Sequence, residues 1–158
     1  MLQYKDNIAP FAVGRRVNME EWNTITRVLE GTATLGFGVP AMPGTGEQTC
    51  KALDATNGRN VLGITEASQV LPHTGDAYQQ YDNVAICESG VIGVLLGSDV
   101  SKGDVARFNT ASGTWTNGAQ STIVVTIPGA QFEFDGKSGT VGAVRYRRPV
   151  PSMSVSGA

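Results

Sequence analysis

The residue types that usually carry enzyme chemistry are few in this chain of 158 residues, and they stand apart from one another. The single histidine, His73, lies in LPHTGD, where neighbouring Pro and Gly predict a solvated turn residue. A nucleophilic site needs a base beside its serine or cysteine, and nothing around Cys50 or Cys87 supplies one. Because no CxxC, HxH or HExxH spacing occurs either, the sequence contains no zinc-site motif.

A phosphate-binding loop and a carboxylate pair are the remaining sources of chemistry. The stretch PGTGEQTCK, residues 43–51, has the glycines of such a loop but lacks the GxxxxGK[ST] pattern that directs amides and a lysine at phosphates. Nine carboxylates stand singly, mostly in predicted turns, where Asp bonds to its own backbone: Asp54, Glu66, Asp76, Asp82, Glu88, Asp99, Asp104, Glu133 and Asp135. A glycosidase pair is set by spatial spacing and stays open as an alternative. The sequence predicts no enzyme, no cofactor and no metal site.

Composition limits the classes of partner. The formal net charge is −2 and charged residues make up 16%, which argues against a general nucleic-acid binder because such proteins are basic. No apolar run approaches the ~18 residues of a membrane helix, and the N-terminus lacks a signal-peptide pattern, so we expect no membrane insertion. Two cysteines are too few for a secreted disulfide scaffold. Two reduced thiols are therefore predicted, with a lone disulfide as the alternative.

The elements that would position any site are short strands separated by turns. Turn signals recur about every 8–12 residues, a spacing typical of an antiparallel sandwich or barrel. Residues 18–31 are ambiguous, because a capping box favours a helix whereas the alternation TITRV over 24–28 favours a strand. We predict the strand, and a short helical turn at 19–22 remains compatible. The other predicted strands cover residues 34–40, 60–67, 84–87, 91–96, 105–108, 114–115, 122–127, 131–134 and 140–147.

Gly and Pro positions predict the breaks between these strands. A hairpin is expected around Glu88-Ser89-Gly90 and another over residues 109–113. Pro40 is expected to end a strand, and residues 41–49 to form a loop. Pro128-Gly129 is expected to turn the chain between two strands.

The two ends of the chain differ from the middle. Residues 1–17 are predicted to form an extended arm that lies on a neighbouring subunit, with a frayed terminus as the alternative. Residues 18–148 are predicted to form a single β domain. Residues 149–158 form a tail in which two prolines prevent regular strand pairing.

The strongest charge feature is the cluster Arg145, Arg147 and Arg148. If this segment is a strand, Val144 and Tyr146 point to one side of it and the first two arginines to the other. One interpretation is a solvated strand face. The other is a set of forked donors aimed at carboxylates on a partner protein.

Four stretches, taken in order, resemble a known family. They are GTATLGFGVPAMPG, NGRNVLGITEA, VAICESGVIGVLLGSDVSKGDVARFNTASG and IPGAQFEFDGKSGTVGAVRYRRP. Within them, Phe37-Gly38, Leu62-Gly63-Ile64, Gly103-Asp104 and Pro128-Gly129-Ala130 stand at the characteristic points of the family pattern. Over residues 24–148 the chain resembles the structural cement, or capsid decoration, proteins of tailed bacteriophages. The basic end RYRR and the tail to Ala158 are not part of that pattern.

The resemblance implies a fold and a role. The expected fold is all-β: a small antiparallel β-barrel or tulip-like sandwich with extended N- and C-terminal arms. The expected role is that of a virion protein, made in the host bacterial cytoplasm, that binds the capsid exterior. It would bridge neighbouring major capsid protein subunits and stabilise the head against internal DNA pressure. The family implies no catalytic residues, no direct nucleic-acid or membrane partner, and a homo-oligomer, a trimer rather than a dimer.

Exposure and polarity suggest three contact regions: the arm from Tyr4 to Arg16, the loop from Ala41 to Thr49, and the end from Arg145 to Pro151. The candidate capsid or subunit contact residues are Tyr4, Arg15, Arg16, Met42, Glu47, Arg145, Arg147 and Arg148. The alternative hypothesis is a carbohydrate-binding β-module of a virion or bacterial surface, in which Trp22, Trp115 and Tyr81 stack on sugars.

Overall fold

The structure, a computed structural model, describes residues 12–54, 60–68 and 75–150, and these residues form strands and turns without an α-helix. The strands are β1 (Asn23–Leu29), β2 (Leu35–Gly36), β3 (Pro40–Pro43), β4 (Thr49–Ala52), β5 (Gly63–Thr65), β6 (Ala77–Tyr78), β7 (Asn83–Leu95), β8 (Val105–Asn109), β9 (Thr114–Thr116), β10 (Val124–Phe132) and β11 (Val141–Arg147). The all-β prediction is confirmed, and the ambiguous segment 18–31 contains strand β1 and no helical turn.

Five strands close into a small barrel. The order is β1-β4-β3-β5-β7, and β7 pairs with β1 again to complete the ring. The β1–β4 pair is parallel, and the other pairs in the ring are antiparallel. Closing a sheet satisfies the backbone groups that a free edge would leave open. The barrel strands and the small sheet β2–β6 share one cluster of buried side chains: Leu29, Leu35, Ala41, Cys50, Leu62, Tyr78, Val84 and Ile86.

The long strand β7 continues beyond the barrel and carries a second layer. Its second half pairs with β11, which is followed by β10, β8 and β9. A bridge between Leu96 and Trp115 brings β9 back to the end of β7, so this layer also curls on itself. Its core is the larger of the two and includes Ile92, Ile127, Phe132, Val144 and Tyr146.

Trp115 connects the second layer to the barrel side of the molecule. Its side chain is fully buried and stacks edge-on against Phe108, with 5.6 Å between the ring centroids. The indole N–H donates to the carbonyl of Gly38 at 2.7 Å. A buried indole usually needs such a partner, and here the partner lies on the chain between β2 and β3, so the bond joins the two layers.

The hairpin expected around Glu88-Ser89-Gly90 is wrong: these residues lie inside the continuous strand β7. Gly90 has φ +149, and a Cβ on it would lie 2.5 Å from the ring of Trp22. The glycine therefore marks a close approach of an aromatic ring to the strand, and a bend in its backbone, without a reversal of the chain.

The turn expected at Pro128-Gly129 is also wrong. Both residues lie within β10, where the pairing with β8 shifts register between Thr126 and Gln131. Gly129 has φ +83, and a Cβ there would lie 2.1 Å from the carbonyl oxygen of Arg147. The register shift is a β-bulge. Pro and Gly are tolerated there because the hydrogen bonds between β10 and β8 are locally interrupted.

Pro40 begins a strand where the sequence predicted that it would end one. It is the first residue of β3, a position where the missing N–H does no harm. Residues 41–49, expected to be a loop, instead supply most of β3 and the start of β4, with a turn over residues 44–48. The hairpin predicted over residues 109–113 is confirmed between β8 and β9.

Cys50 and Cys87 are both fully buried and form no disulfide. Burial raises the pKa of the Cys50 thiol to about 11 and that of Cys87 to about 12. Both sulfurs therefore stay protonated at neutral pH and behave as small apolar groups in the core.

Candidate functional site

The carboxylates of the described residues serve mainly as caps and ion-pair partners. Asp104 accepts the backbone N–H of Ser101 at 2.9 Å and the amide of Asn117 at 2.7 Å. Those hydrogen bonds hold the pKa of Asp104 below its usual value. In the part of the chain that the structure describes, no three His, Cys, Asp or Glu residues lie close enough to hold a metal ion. The predicted turn role of the aspartates accounts for this arrangement.

The C-terminal arginines form a charged cluster with carboxylates from distant parts of the same chain. Arg145 is the centre of it, since its Nε donates to Glu133 at 2.8 Å and its Nη2 to Glu20 at 2.7 Å. The hydrogen bonds from Arg145 hold the pKa of both carboxyls below their usual values. We call Glu20, Glu21, Glu88, Glu133, Arg145, Arg147 and Arg148 the charged clasp.

The other two arginines of the charged clasp differ in how closely they contact their carboxylates. Arg148 donates to Glu88 at 2.8 Å, and Glu88 also accepts the amide of Asn23 at 2.8 Å. Arg147 reaches Glu21 at 3.3 Å, and both side chains are about three-quarters exposed, at 75% and 77%. An exposed pair of this kind contributes little to stability, so Arg147 is the arginine most easily transferred to another carboxylate.

The clasp corrects one part of the sequence interpretation and supports another. Val144 and Tyr146 are buried, and Arg145 and Arg147 lie on the opposite side of β11, as the alternation predicted. The forked donors, however, already meet four carboxylates of their own chain. The sequence analysis missed those partners, and the acidic pair in NMEEW, Glu20-Glu21, was the signal that could have suggested them.

The described part of the predicted N-terminal arm is docked on β7. The N–H of Gly14 donates to the carbonyl of Gly93 at 2.8 Å, and that of Val17 donates to Val91 at 3.0 Å. Arg16 bridges to β7 and places its guanidinium 5.6 Å from the centre of the Trp22 ring. Arg15 is half-buried. Tyr4 lies outside the described residues.

Trp22 fixes the point where this segment meets the barrel. Its indole N–H donates to Thr24 at 2.8 Å and to Glu66 at 3.1 Å, while its ring covers Gly90. Burial raises the pKa of Glu66, and the hydrogen bonds from Thr24 and Trp22 partly offset that rise. The ring already contacts Gly90 and the guanidinium of Arg16, and its N–H is already bonded, which leaves it poorly placed to stack on a sugar.

A shallow groove of about 550 Å³ runs beside the clasp, between the N-terminal segment and the end of β11. Its walls combine charged and apolar groups, among them Glu21, Trp22, Arg147, Pro149 and Val150. Val150, in the groove, and Met19, on the N-terminal segment, are exposed apolar side chains, at 88% and 92%. The groove therefore brings charged and apolar groups together beside the exposed pair of Arg147 and Glu21.

Of the two remaining candidate contact residues, one lies on the surface and the other in the core. Glu47 is exposed on the turn between β3 and β4. Met42 is buried and belongs to the larger core, because β3 turns that side chain inward. The loop predicted there would have exposed Met42, so the error in secondary structure produced the error in assignment.

The aromatic residues proposed for sugar stacking do not form a platform. Trp115 is fully buried, Trp22 is held by its contacts with Gly90 and Arg16, and of the three only Tyr81 is widely exposed.

Among the described residues, no helix is long and apolar enough to cross a bilayer.

Comparisons with known proteins agree with this geometry. Residues 2–147 match the model of a family described as structural cement protein (E217 gp24/Pam3 gp6). A chain from the solved structure titled "The capsid of Myoviridae Phage XM1" has the same fold, with a TM-score of 0.72 and 14% sequence identity. The match covers 93% of this chain and 96% of that one. No curated protein matches in sequence.

Proposed function

The chain belongs to the family of phage structural cement proteins, and from this membership we propose that it binds the outside of an assembled phage head and bridges neighbouring major capsid protein subunits. The observation that carries the proposal is the family match, which spans residues 2–147 of 158 and so includes both layers and all of the clasp except Arg148. Its role in the capsid is structural, and we propose no enzymatic activity.

The physical basis of such a role is added contact area across a boundary. Packaged DNA pushes outward on the shell, and the shell opens where subunits meet. A specific interface usually buries about 1,200–2,000 Å², so one domain that spans a boundary adds an interface to each of its neighbours. Binding that is specific for the assembled lattice also stabilises that lattice by linkage.

We propose that the protein acts as a homo-oligomer, a trimer rather than a dimer. Joining several binding surfaces makes each further contact intramolecular, and this raises avidity by about 10²–10⁴ without new chemistry. Modest affinity per contact is then sufficient. Synthesis in the host cytoplasm and assembly onto the capsid exterior complete the proposal.

Three surfaces are proposed to make the contacts: the N-terminal arm from Tyr4 to Arg16, the β3–β4 turn around Glu47, and the clasp end from Arg145 to Pro151. Two observations support them. Glu47 is exposed. Arg147 pairs with Glu21 of the same chain at 3.3 Å, and this ion pair is itself exposed. Arg145 contributes by keeping the N-terminal segment in place.

Co-sedimentation with phage heads that lack the protein tests this function. We expect saturable binding to expanded heads, in a whole-number ratio to capsid subunits, and no binding to unassembled subunits. Protein that stays in the supernatant at every concentration would remove the capsid role. A glycan-binding screen is the matched alternative, and we expect no quenching of tryptophan fluorescence in it.

A further inference from the structure

The barrel ring is complete, but the pairing between β1 and β4 covers only the end of β1. This strand pairs with β7 from Asn23 to Val28, but on its other side it pairs with β4 only at Val28 and Leu29. The first half of β1 therefore has one edge without a neighbouring strand in the part of the chain that the structure describes.

The direction of the backbone groups identifies which residues face this gap. The N–H of Val28 donates to the carbonyl of Gln48, beside β4, whereas the N–H of Leu29 donates to Asp82, on the β7 side, each at 3.0 Å. Backbone groups alternate between the two edges of a strand. Thr24 and Thr26 are in register with Val28, so their N–H and C=O groups point into the gap.

Both threonines are exposed, and the alternation directs their N–H groups away from β7, to the side where the described residues place no paired strand. The carbonyl of Thr26 is covered by the guanidinium of Arg27, which donates to it at 2.8 Å. A charged side chain on an open edge is a common protection against unwanted strand pairing. Here it covers one acceptor and leaves the donors accessible.

The gap has a charged end. Gln48 is the residue just before β4, and its carbonyl accepts the N–H of Val28. Glu47 precedes Gln48 on the turn. Glu47 is exposed and has no ion-pair partner among the described residues. A strand laid along Thr24 and Thr26 would run towards the β3–β4 turn that carries this carboxylate.

We propose that the open edge of β1 binds an extended segment of a capsid subunit by strand addition, with a lysine or arginine of that segment opposite Glu47. The proposal rests on the proposed function, because the partner is the capsid protein. Backbone hydrogen bonds to Thr24 and Thr26 supply the affinity, and the basic side chain sets the register. Arg27 moves from the Thr26 carbonyl as the incoming strand takes its place.

The test removes one backbone N–H donor and leaves the hydrogen bonds between the barrel strands in place. Thr26→Pro removes an N–H that points into the gap and fills the space with the ring, a change that edge positions tolerate. Thr26→Ala is the matched control, because it keeps the N–H. In co-sedimentation with heads we expect Thr26→Pro to bind about tenfold more weakly and Thr26→Ala to bind like the unchanged protein.

Equal binding by both variants, with normal binding by the unchanged protein, would overturn strand addition and leave the capsid role intact. Failure of the unchanged protein to bind would instead remove the proposed function. Glu47→Gln is expected to weaken binding severalfold at low salt and hardly at all at high salt, where exposed charges are screened.

Hydrogen exchange of the unchanged protein keeps the proposal testable if Thr26→Pro does not fold. We expect the amides of Thr24 and Thr26 to exchange rapidly in the free protein and to become protected on heads. Protection that is already present in the free protein, or absent on heads, would contradict the proposal.

Discussion

At the scale of single residues, glycines mark where other groups come close. Gly90 lies under Trp22, and Gly129 lies against the Arg147 carbonyl. Both glycines were predicted to lie in turns. A glycine in an apolar run is equally compatible with a turn, a bulge or a close approach of another group. Only the distant contact, which the sequence does not display, decides among these.

Gly90→Ala tests this interpretation. The added methyl group would overlap the Trp22 ring and would force a side chain into a backbone conformation, φ +149, that it rarely adopts. We expect the free energy of unfolding to fall by about 1–3 kcal/mol, measured by chemical denaturation. Gly36→Ala is the control, because its Cβ would meet only Val39 at an ordinary 3.8 Å. Equal losses in the two variants would contradict the account.

At the scale of elements, strands with local alternation were predictable, whereas two of the expected turns proved to lie inside long strands. The alternation of β1, β8 and β11 is local, so it appears in the sequence. The continuity of β7 and β10 depends on neighbours that arrive from far along the chain. The docking of the segment before β1 is of the same kind, since it depends on β7 and on the charged clasp.

Arg145→Ala tests what the clasp does for that segment. Loss of the bonds to Glu20 and Glu133 should loosen the chain just before Trp22, because Glu20 lies three residues after Val17. We expect the amides of Gly14 and Val17 to exchange severalfold faster, measured by hydrogen exchange. Arg147→Ala is the control and should change little, because its ion pair is largely exposed. The same exchange rates in both variants would show that the clasp does not hold the segment.

At the scale of the whole molecule, β7 belongs to both layers. Val84 and Ile86 contribute to the barrel core, and Ile92 and Val94 to the larger core. Separating the layers would require breaking the pairing of this one strand, which suits the proposed bridging of two capsid subunits. The all-β class followed from turn spacing, and the barrel from the family resemblance, whereas the strand shared by both layers did not follow from either, because pairing between distant strands leaves no local pattern.

The central claim is that the protein holds the shell together, and the temperature of DNA release measures this directly. Filled heads are heated with a DNA-binding dye, with and without saturating protein. The account predicts release at a higher temperature when protein is bound, with a shift that stops growing when binding saturates. Release at the same temperature from fully occupied and bare heads would contradict it.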